Sequence, residues 1–417
     1  MSSTSRISTH STSRTPRPKV TILGGGFAGL ACANALDAKK FAVTLLDRKP
    51  HFEFLPNIHE LVSGVKKPAQ LRLQLRSAMH TLGHTFIQTN VTELTPGELT
   101  LRAGRQNLQS DYLLIAPGSA DADYGISGVG EHTLGFKSVT ECTAIGQRIR
   151  KLTKEKDRPR VVIVGGGLEG IEALGEVLRR YGDSDLRLTL VEAQESLLPD
   201  GPTAVGEHIA QLCSSQGVSC LMDDPVTRIS AKSVTLASGR RLRSDATIWT
   251  GGPKPAPLLA NSELAKPGDW AAVNPTLEHK AYRNVFVAGD AAGLNNAISK
   301  QAYYALDMGR CVAANIKRSS AGKSLRRFRP SAKPTLLAFG DIDTVLISER
   351  GSLAGPSLAA GKEAVYAAVM TQLDQRAGRQ RIGAVLDRAK TAGENLLWPR
   401  LQSWQTLRRQ TQLKRLS

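Results

Sequence analysis

The sequence carries one pattern twice, namely a short apolar strand, a glycine-rich turn and a helix. The first copy runs from KVTILG at 19–24 into GGGFAGLACANAL, and the second is PRVVIVGGGLEGIEALGEVL at 159–178. The glycines at the three positions of the GxGxxG spacing are Gly24, Gly26 and Gly29, then Gly165, Gly167 and Gly170. Two complete copies predict two dinucleotide-binding units built on parallel sheets.

Each glycine of such a turn has its own physical reason. Gly24 permits the tight turn after the strand, Gly26 lets backbone N–H groups approach a pyrophosphate, and Gly29 allows the helix to lie close to the sheet. The N-terminus of the helix then faces the phosphate charge. The same reasoning applies to the second copy.

An acidic residue follows each turn at the distance expected for ribose binding. The strand FAVTLLD ends at Asp47 and the strand LRLTLVE ends at Glu192. A carboxylate accepts hydrogen bonds from ribose hydroxyls, and at Glu192 it repels a 2′-phosphate, so the second unit is predicted to prefer NADH over NADPH. Glu172 lies on the helix after the second turn and is our candidate catalytic residue, shaping the nicotinamide pocket.

The formal charge of +18 is unevenly distributed. Residues 1–19 carry four basic and no acidic side chains, 317–333 carry seven and none, and 376–417 carry ten against two. The remainder of the chain is near neutral, so no basic groove through the core, and no nucleic-acid partner, is expected.

Five cysteines without paired spacing indicate a reducing compartment and no disulfide framework. No CxxC motif or Cys/His cluster is present, so no metal site is predicted. The first 18 residues lack the apolar segment of a secretory signal, which leaves a transit peptide or a disordered tail. No apolar run is long enough to span a bilayer.

Two further segments, YLLIAPGS at 112–119 and NVFVAGDAA at 284–292, complete a resemblance over roughly residues 20 to 330. The chain resembles the two-dinucleotide-binding flavoproteins of the pyridine nucleotide-disulfide oxidoreductase superfamily. The resemblance implies FAD in the first unit and NADH in the second, with Asp290 on the ribityl chain of FAD and chain crossovers at Gly118 and near Gly252. The implied cofactor-binding residues are Gly24, Gly26, Ala28, Gly29, Asp47, Arg48, Val91, Gly118, Asp290 and Ala302 for FAD, and Gly165, Gly167, Gly170, Glu192 and Gly252 for the crossover and NADH.

The expected fold class is α/β, with two Rossmann-like dinucleotide-binding domains in a glutathione-reductase-like fold and a small C-terminal α+β domain. The expected boundaries are a tail at 1–18, an FAD-binding domain at 19–118 and 253–330, an NAD(H)-binding domain at 119–252, and a C-terminal domain at 331–417. Within the last of these, the pattern of residues 333–370 predicts two or three strands followed by an apolar helix.

Disulfide reductases of this fold carry a cysteine pair soon after the first acidic strand end, but RKPHFEFLPNIHELVSG at 48–64 has none. The segment is instead similar to type II NADH dehydrogenases and their apoptosis-inducing-factor-like relatives, which reduce membrane quinones. This resemblance implies electron transfer from NADH through FAD to a quinone. In SKQAYYALDMG at 299–309, the AQxAxQQG motif of those enzymes is kept at Ala302, Ala305 and Gly309, while its glutamines correspond to Tyr303, Asp307 and Met308.

The C-terminal segment ENLLWPRLQSWQTLRRQTQLKRLS, residues 394–417, places apolar residues at helical spacing among arginines and lysines. It predicts a basic amphipathic helix that contacts an anionic membrane, docks on the body of the protein or joins a homodimer. With the membrane interpretation, we expect a cytoplasmic enzyme held peripherally on the cytoplasmic face.

Three other functions stay open at this point. A sulfide:quinone reductase would use cysteines near the flavin, with Cys142 and Cys311 as candidates. A ferredoxin or rubredoxin reductase would use a basic surface to bind its acidic partner. A regulatory protein that binds FAD and NADH would use its basic ends to contact nucleic acid or lipid.

Overall fold

The computed structural model of the chain describes residues 16–295, 298–374 and 412–416, with the backbone alone at residues 92 and 93. The first part alternates strands and helices. Its elements are β1 (Lys19–Leu23), α1 (Phe27–Ala35), β2 (Ala42–Asp47), β3 (His51–Glu53), α2 (Glu60–Ser63), β4 (Arg72–Gln74), α3 (Leu75–Thr81), β5 (Thr85–Gln88), β6 (Val91–Thr95), β7 (Thr100–Ala103), β8 (Gln106–Gln109), β9 (Tyr112–Ile115) and β10 (Ser119–Asp121).

The second part repeats this alternation. Its elements are α4 (Val129–His132), α5 (Val139–Glu155), β11 (Arg160–Val164), α6 (Leu168–Tyr181), β12 (Arg187–Val191), α7 (Thr203–Ser215), β13 (Ser219–Leu221), β14 (Val226–Ser230), β15 (Ser233–Leu236), β16 (Arg241–Arg243), β17 (Ala246–Trp249) and β18 (Pro253–Pro255). The chain then continues through α8 (Pro257–Asn261), β19 (Ala271–Ala272), β20 (Val285–Val287), β21 (Ala292–Gly293) and α9 (Ala302–Ser320).

Two parallel sheets form the two halves of the molecule. The first has the strand order β20-β9-β1-β2-β5, so that β20, which follows the whole second unit in the chain, returns to pair with β9. The second sheet has the order β13-β12-β11-β17. Val20 and Ile22 of β1 are fully buried, as are Val161 and Ile163 of β11. This burial is typical of parallel sheets, whose strands are apolar because both faces of the sheet are covered. The predicted fold class is confirmed, and the exact domain boundaries stay predictions.

The described C-terminal elements are β22 (Thr335–Phe339), β23 (Asp343–Ser348), β24 (Gly351–Ala354), α10 (Ala359–Leu373) and β25 (Lys414–Leu416). The strands form an antiparallel sheet with the order β22-β23-β24-β25, and α10 packs against β22. The predicted strands and apolar helix of 333–370 are therefore present. No helix among the described residues has the length and apolar character that crossing a bilayer requires.

The predicted basic helix at 394–417 is wrong for its last residues, which form a strand. Lys414 and Arg415 lie in β25, where they pair with Ala354 and Leu353 of β24. Pairing satisfies the backbone groups along the edge of β24, and it buries the side chain of Leu416. The remainder of that prediction, with its tryptophan and leucines, falls at 394–411, outside the described residues.

Close backbone contact joins the second unit to the C-terminal sheet. An ideal Cβ on Gly175 of α6 would lie 2.3 Å from the Gly340 nitrogen and 2.6 Å from the Phe339 carbonyl carbon. Backbone atoms cannot move aside as a flexible side chain can. We expect Gly175→Ala to lower the free energy of unfolding by about 1–3 kcal/mol, measured by urea denaturation. Gly130→Ala is the matched control, since a Cβ there meets no atom within 4 Å, and equal losses in the two variants would contradict the contact.

Candidate functional site

The first glycine turn separates glycines that the fold requires from one that it does not. An ideal Cβ on Gly24, which has a φ of +103°, would lie 2.0 Å from the Ala116 oxygen, and one on Gly29 would lie 1.9 Å from the Gly24 oxygen. A Cβ on Gly26 would meet no atom within 4 Å, and Gly26 is exposed. The fold therefore does not require glycine at position 26. A ligand that approaches the backbone there would require it, because a side chain would occupy the same space.

The second turn repeats this division. A Cβ on Gly165 would lie 2.6 Å from the Thr250 oxygen, and one on Gly170 would lie 1.8 Å from the Gly165 oxygen. A Cβ on Gly167 would meet no atom within 4 Å. Two turns that are distant in the sequence thus leave the same position open.

The helices after the turns begin without side-chain caps. Gly26 is the N-cap residue of α1 and Gly167 that of α6, and neither supplies a side-chain hydrogen bond. The first N–H groups of a helix have no partner within the helix and attract anions. The two turns therefore fit the pyrophosphates of two dinucleotides, such as FAD and NADH.

The two acidic residues lie directly against their turns. Asp47 Oδ2 accepts a hydrogen bond from Gly25 N at 2.7 Å, and Glu192 Oε2 accepts one from Gly166 N at 2.6 Å. The other oxygens accept from Lys49 N at 2.8 Å and Gln194 N at 2.9 Å. A carboxylate has about four acceptor sites, so each can also accept from a ribose hydroxyl.

The AGD segment, residues Ala288 to Asp290, lies beside the segments where the chain crosses between the two units. Ser119 Oγ donates to Asp290 Oδ2 at 3.0 Å, and β10, which begins directly after Gly118, pairs antiparallel with β18, which begins directly after Gly252. The two predicted crossover segments are therefore neighbours. Among the other predicted FAD residues, Val91 is buried in β6 and Arg48 is exposed, and their contacts with a cofactor stay predictions.

Helix α9 packs tightly on α1. A Cβ on Gly309 would lie 2.1 Å from the Ala28 oxygen, which explains the glycine that the quinone-reductase motif keeps there. Met308, at a glutamine position of the motif, is buried, and its Sδ accepts a hydrogen bond from Gly289 N at 3.2 Å. Ala302 is the first residue of the helix.

The other two altered positions differ in their surroundings. Asp307 Oδ1 pairs with Arg310 at 2.9 Å and Oδ2 with Lys333 at 3.1 Å, so its charge is balanced by two cations. Tyr303 is half-buried, and burial raises the pKa of its phenol. Its neighbour Tyr304 packs against the hydrophobic core.

Glu172 faces the C-terminal domain. One carboxylate oxygen accepts hydrogen bonds from Lys362 Nζ and from Ala338 N, the latter at 3.2 Å, and the other lies 3.5 Å from His59 Nδ1. Burial raises the pKa of Glu172, and the charge of Lys362 opposes that rise. The pKa of His59 is well below its usual value, chiefly because the ring is buried, so His59 is neutral. The role of Glu172 at the nicotinamide stays a prediction.

A buried ionic cluster beside Glu172 was not predicted from the sequence. The Lys66 side chain is fully buried, and its Nζ lies 2.6 Å from Glu363 Oε2 and 3.5 Å from Glu60 Oε2. The same ammonium lies 4.4 Å from the ring centre of Tyr366. Lys66 and Glu363 are 297 positions apart in the chain. No local pattern marks Lys66, because its nearer carboxylate partner, Glu363, and the Tyr366 ring come from the C-terminal helix.

Aromatic contacts run from this cluster to the first glycine turn. The Tyr366 ring lies 5.2 Å from that of Phe54, which lies 5.6 Å from that of Phe27, the first residue of α1. Both contacts are edge-to-face, an arrangement that favours a fixed geometry. The C-terminal helix is thereby packed onto the start of the helix that carries the first turn.

The two candidate redox cysteines, Cys142 and Cys311, both have raised thiol pKa values. Cys142 is fully buried and burial raises the pKa of its thiol well above the usual value; burial also raises the pKa of Cys311. Thiols of this kind are poor nucleophiles. Cys213 and Cys220 contact each other through their side chains, a pairing that their spacing did not indicate. The described part of the chain holds no cluster of His, Cys, Asp and Glu side chains suited to a metal ion.

Comparison with known proteins agrees with this geometry. The family model described as pyridine nucleotide-disulphide oxidoreductase matches residues 18–309. The demethylphylloquinone reductase NdbB of Synechocystis is 26% identical over 372 residues, covering 84% of this chain and 91% of that protein. The type II NADH:quinone oxidoreductase of Staphylococcus aureus is 25% identical over 379 residues, covering 84% and 93%. The structure of NDH2 from Plasmodium falciparum in complex with NADH superposes with a TM-score of 0.80 at 14% identity, covering 92% of this chain and 99% of that one.

Substitution of Gly26, beside which the structure leaves open space, distinguishes an effect on ligand binding from an effect on folding. We expect Gly26→Ala to keep the melting temperature of the cofactor-free protein and to weaken FAD binding by roughly tenfold or more, about 1.4 kcal/mol. We expect Gly29→Ala to destabilise the cofactor-free protein itself, because its methyl group collides with the Gly24 oxygen. Thermal unfolding and titration with FAD measure the two effects. A Gly26→Ala protein with unchanged FAD affinity would contradict the proposed pyrophosphate position.

Glu176 makes the stability depend on pH. Burial raises the pKa of this carboxyl from 4.5 to about 7, while its hydrogen bond from Ser63 and the nearby Arg179 oppose the rise. The folded state therefore holds the proton more tightly than the unfolded state, and the stability that this contributes is lost as the pH rises through about 7.

Glu176→Gln removes this titration. We expect the unfolding free energy of the wild type to fall relative to that of the variant by on the order of 1–3 kcal/mol between about pH 5 and pH 8. Urea denaturation across that range measures the difference. Glu207→Gln, at an exposed carboxyl on α7, is the control. Parallel profiles for the wild type and Glu176→Gln would show that Glu176 does not titrate there.

Proposed function

Because the chain belongs to the pyridine nucleotide-disulphide oxidoreductase family, we propose that it transfers electrons from NADH through bound FAD to a quinone. The observation that carries this proposal is the pair of glycine turns. Each leaves one glycine open beside an uncapped helix N-terminus, and each has a carboxylate at its edge. A chain with two such turns is suited to hold two dinucleotides at once.

The residues of the second turn favour NADH as the donor. Glu192 is buried and its two oxygens accept hydrogen bonds from Gly166 N and Gln194 N, which fixes the carboxylate beside the turn. A fixed negative charge attracts a ribose 2′-hydroxyl and repels a 2′-phosphate. No lysine or arginine occupies positions 193–199 to compensate for that repulsion.

The protein contributes binding and shielding to the reaction. When bound, FAD supplies the chemistry of accepting a hydride and passing two electrons on. Gly26 and Gly167 leave room for the two pyrophosphates, and Asp47 and Asp290 would accept hydrogen bonds from hydroxyl groups of the cofactor. Lys362 donates a hydrogen bond to the Glu172 carboxylate, and we propose that this carboxylate shapes the nicotinamide pocket. The segment 48–64 has no cysteine, so a dithiol does not take part there.

A quinone is the proposed acceptor on two grounds. The relatives named above are a demethylphylloquinone reductase and a type II NADH:quinone oxidoreductase. Helix α9 keeps Ala302, Ala305 and Gly309 of the quinone-reductase motif, with Gly309 holding the helix against α1. Because quinones dissolve in membranes, we further propose peripheral contact with anionic lipid through the basic residues of 376–411.

The experiment that tests this function follows flavin absorbance after rapid mixing. NADH is expected to bleach the flavin of the FAD-loaded protein. NADPH is expected to bleach it less efficiently by roughly tenfold or more, because the charge of Glu192 repels the 2′-phosphate of NADPH. A quinone is then expected to restore the absorbance faster than oxygen, ferricyanide or an iron–sulfur protein does. Flavin that NADH cannot bleach contradicts the donor, and flavin that no quinone reoxidises contradicts the acceptor.

Gly167→Ala is the matched variant. A methyl group there meets no protein atom within 4 Å, so the fold and the flavin content are expected to be unchanged. It occupies the proposed NADH pyrophosphate position, so bleaching by NADH is expected to fall by roughly tenfold or more while dithionite bleaches the flavin as before. Sulfide in place of NADH tests the sulfide:quinone reductase alternative in the same instrument.

A further inference from the structure

Lys300 is half-buried between the AGD segment and the start of α9. Its Nζ donates hydrogen bonds to the carbonyl oxygen of Asp290 at 2.7 Å and to that of Ala292 at 2.9 Å. The same ammonium lies 4.1 Å from the ring centre of Trp270. An ammonium has three N–H groups. Here two of them donate to the carbonyl oxygens, and the charge also faces the aromatic ring of Trp270.

This position is unfavourable for a cation on two counts. Burial lowers the pKa of Lys300, which shows that desolvation opposes its charge. The residue also precedes the first turn of α9, where the helix dipole is positive. The negative charge of Asp290 favours the ammonium and partly opposes this lowering of the pKa. A lysine held against these costs points to a specific role.

That role follows from what Lys300 connects. Its two carbonyl partners flank Ala291, so the ammonium fixes the backbone on both sides of the turn that follows Asp290. Strand β21, which contains Ala292, pairs with β19, and Trp270 directly precedes β19. Gly293 lies against Trp270, where a Cβ would be 3.1 Å from the Trp270 Cβ. Lys300 thus contacts both the AGD segment and Trp270, the residue before β19.

We propose that Lys300 is a positioning residue for FAD, because its ammonium holds the 290–292 backbone and so directs the Asp290 carboxylate toward the ribityl hydroxyls. This inference rests on the proposed function, in which Asp290 contacts FAD. Ser119 holds the carboxylate from the other side at 3.0 Å. The two contacts together fix both the backbone and the side chain of Asp290 before the cofactor arrives, which lowers the entropic cost of binding.

The role requires the charged form of Lys300. A neutral amine retains two N–H donors but loses the cation–π attraction and the stronger charge-assisted hydrogen bonds. Because the pKa of Lys300 is lowered from 10.5, its proton is lost at a lower pH than that of a surface lysine. FAD affinity is therefore expected to fall as the pH rises toward about 10.

Two substitutions test the role, and titration with FAD at several pH values is the measurement. Lys300→Met is expected to weaken FAD binding by roughly tenfold and to remove the fall in affinity at high pH. Lys300→Arg keeps a cation that does not titrate, so it is expected to bind FAD more tightly than Lys300→Met and with no fall up to about pH 10. Circular dichroism of the cofactor-free proteins checks that each variant folds.

Lys280→Met is the matched control. Lys280 is an exposed lysine near the same segment, and its Nζ donates to Asn295 Oδ1 at 3.3 Å. It is expected to bind FAD as the wild type does, with the same dependence on pH. Lys300→Met with wild-type affinity and pH dependence would overturn the inference while leaving the proposed function standing. A wild-type protein that binds no FAD would overturn both.

Discussion

The contact between the Gly24 oxygen and Gly29 is the constraint from which the first unit is built. A Cβ on Gly29 would overlap the Gly24 oxygen, so helix α1 can lie this close to the end of β1 only where residue 29 is glycine. A Cβ on Gly24 would overlap the Ala116 oxygen, so the turn itself also requires glycine. That approach aims the N-terminus of α1 at the open position beside Gly26. It also brings α1 to α9, where Gly309 permits a second close backbone contact, with Ala28. The same geometry recurs at Gly165 and Gly170, so both proposed dinucleotide sites depend on one kind of packing.

The contacts with the C-terminal domain place charges where water is excluded. Lys66, Glu60 and Glu363 form an ion cluster whose removal from water is costly, and the mutual attraction of the charges offsets that cost only while all of them are present. Glu172 and Lys362 form a second pair nearby. Such pairs contribute less to net stability than to defining one arrangement, because a shifted α10 would leave buried charges without partners. We infer that the C-terminal helix is fixed in register against the helix that carries Glu172.

The strands, turns and acidic residues of the two units follow from local pattern. Apolar β-branched runs, glycine spacing and strand-terminal acids all lie within about 30 residues of one another, so Asp47 and Glu192 can be assigned to their turns from the sequence alone. The C-terminal residues show the opposite case. Lys414 and Arg415 continue a helical spacing, yet they pair with β24, because an available sheet edge and a burial site for Leu416 decide the conformation.

The sequence by itself therefore determined the two dinucleotide units, the family and the expected preference for NADH, since each depends on residues close together in the chain. Only the tertiary structure decided which glycine of each turn faces open space, that Lys66 is a buried ion-pair partner of Glu363, and that Lys300 holds the backbone of the AGD segment. Lys66 and Glu363 come from distant segments, and Lys300 reaches its two carbonyl partners across a turn. The local sequence does not mark these partners. Burial of the side chains, which only the tertiary structure shows, raises the pKa of Glu176 and lowers that of Lys300.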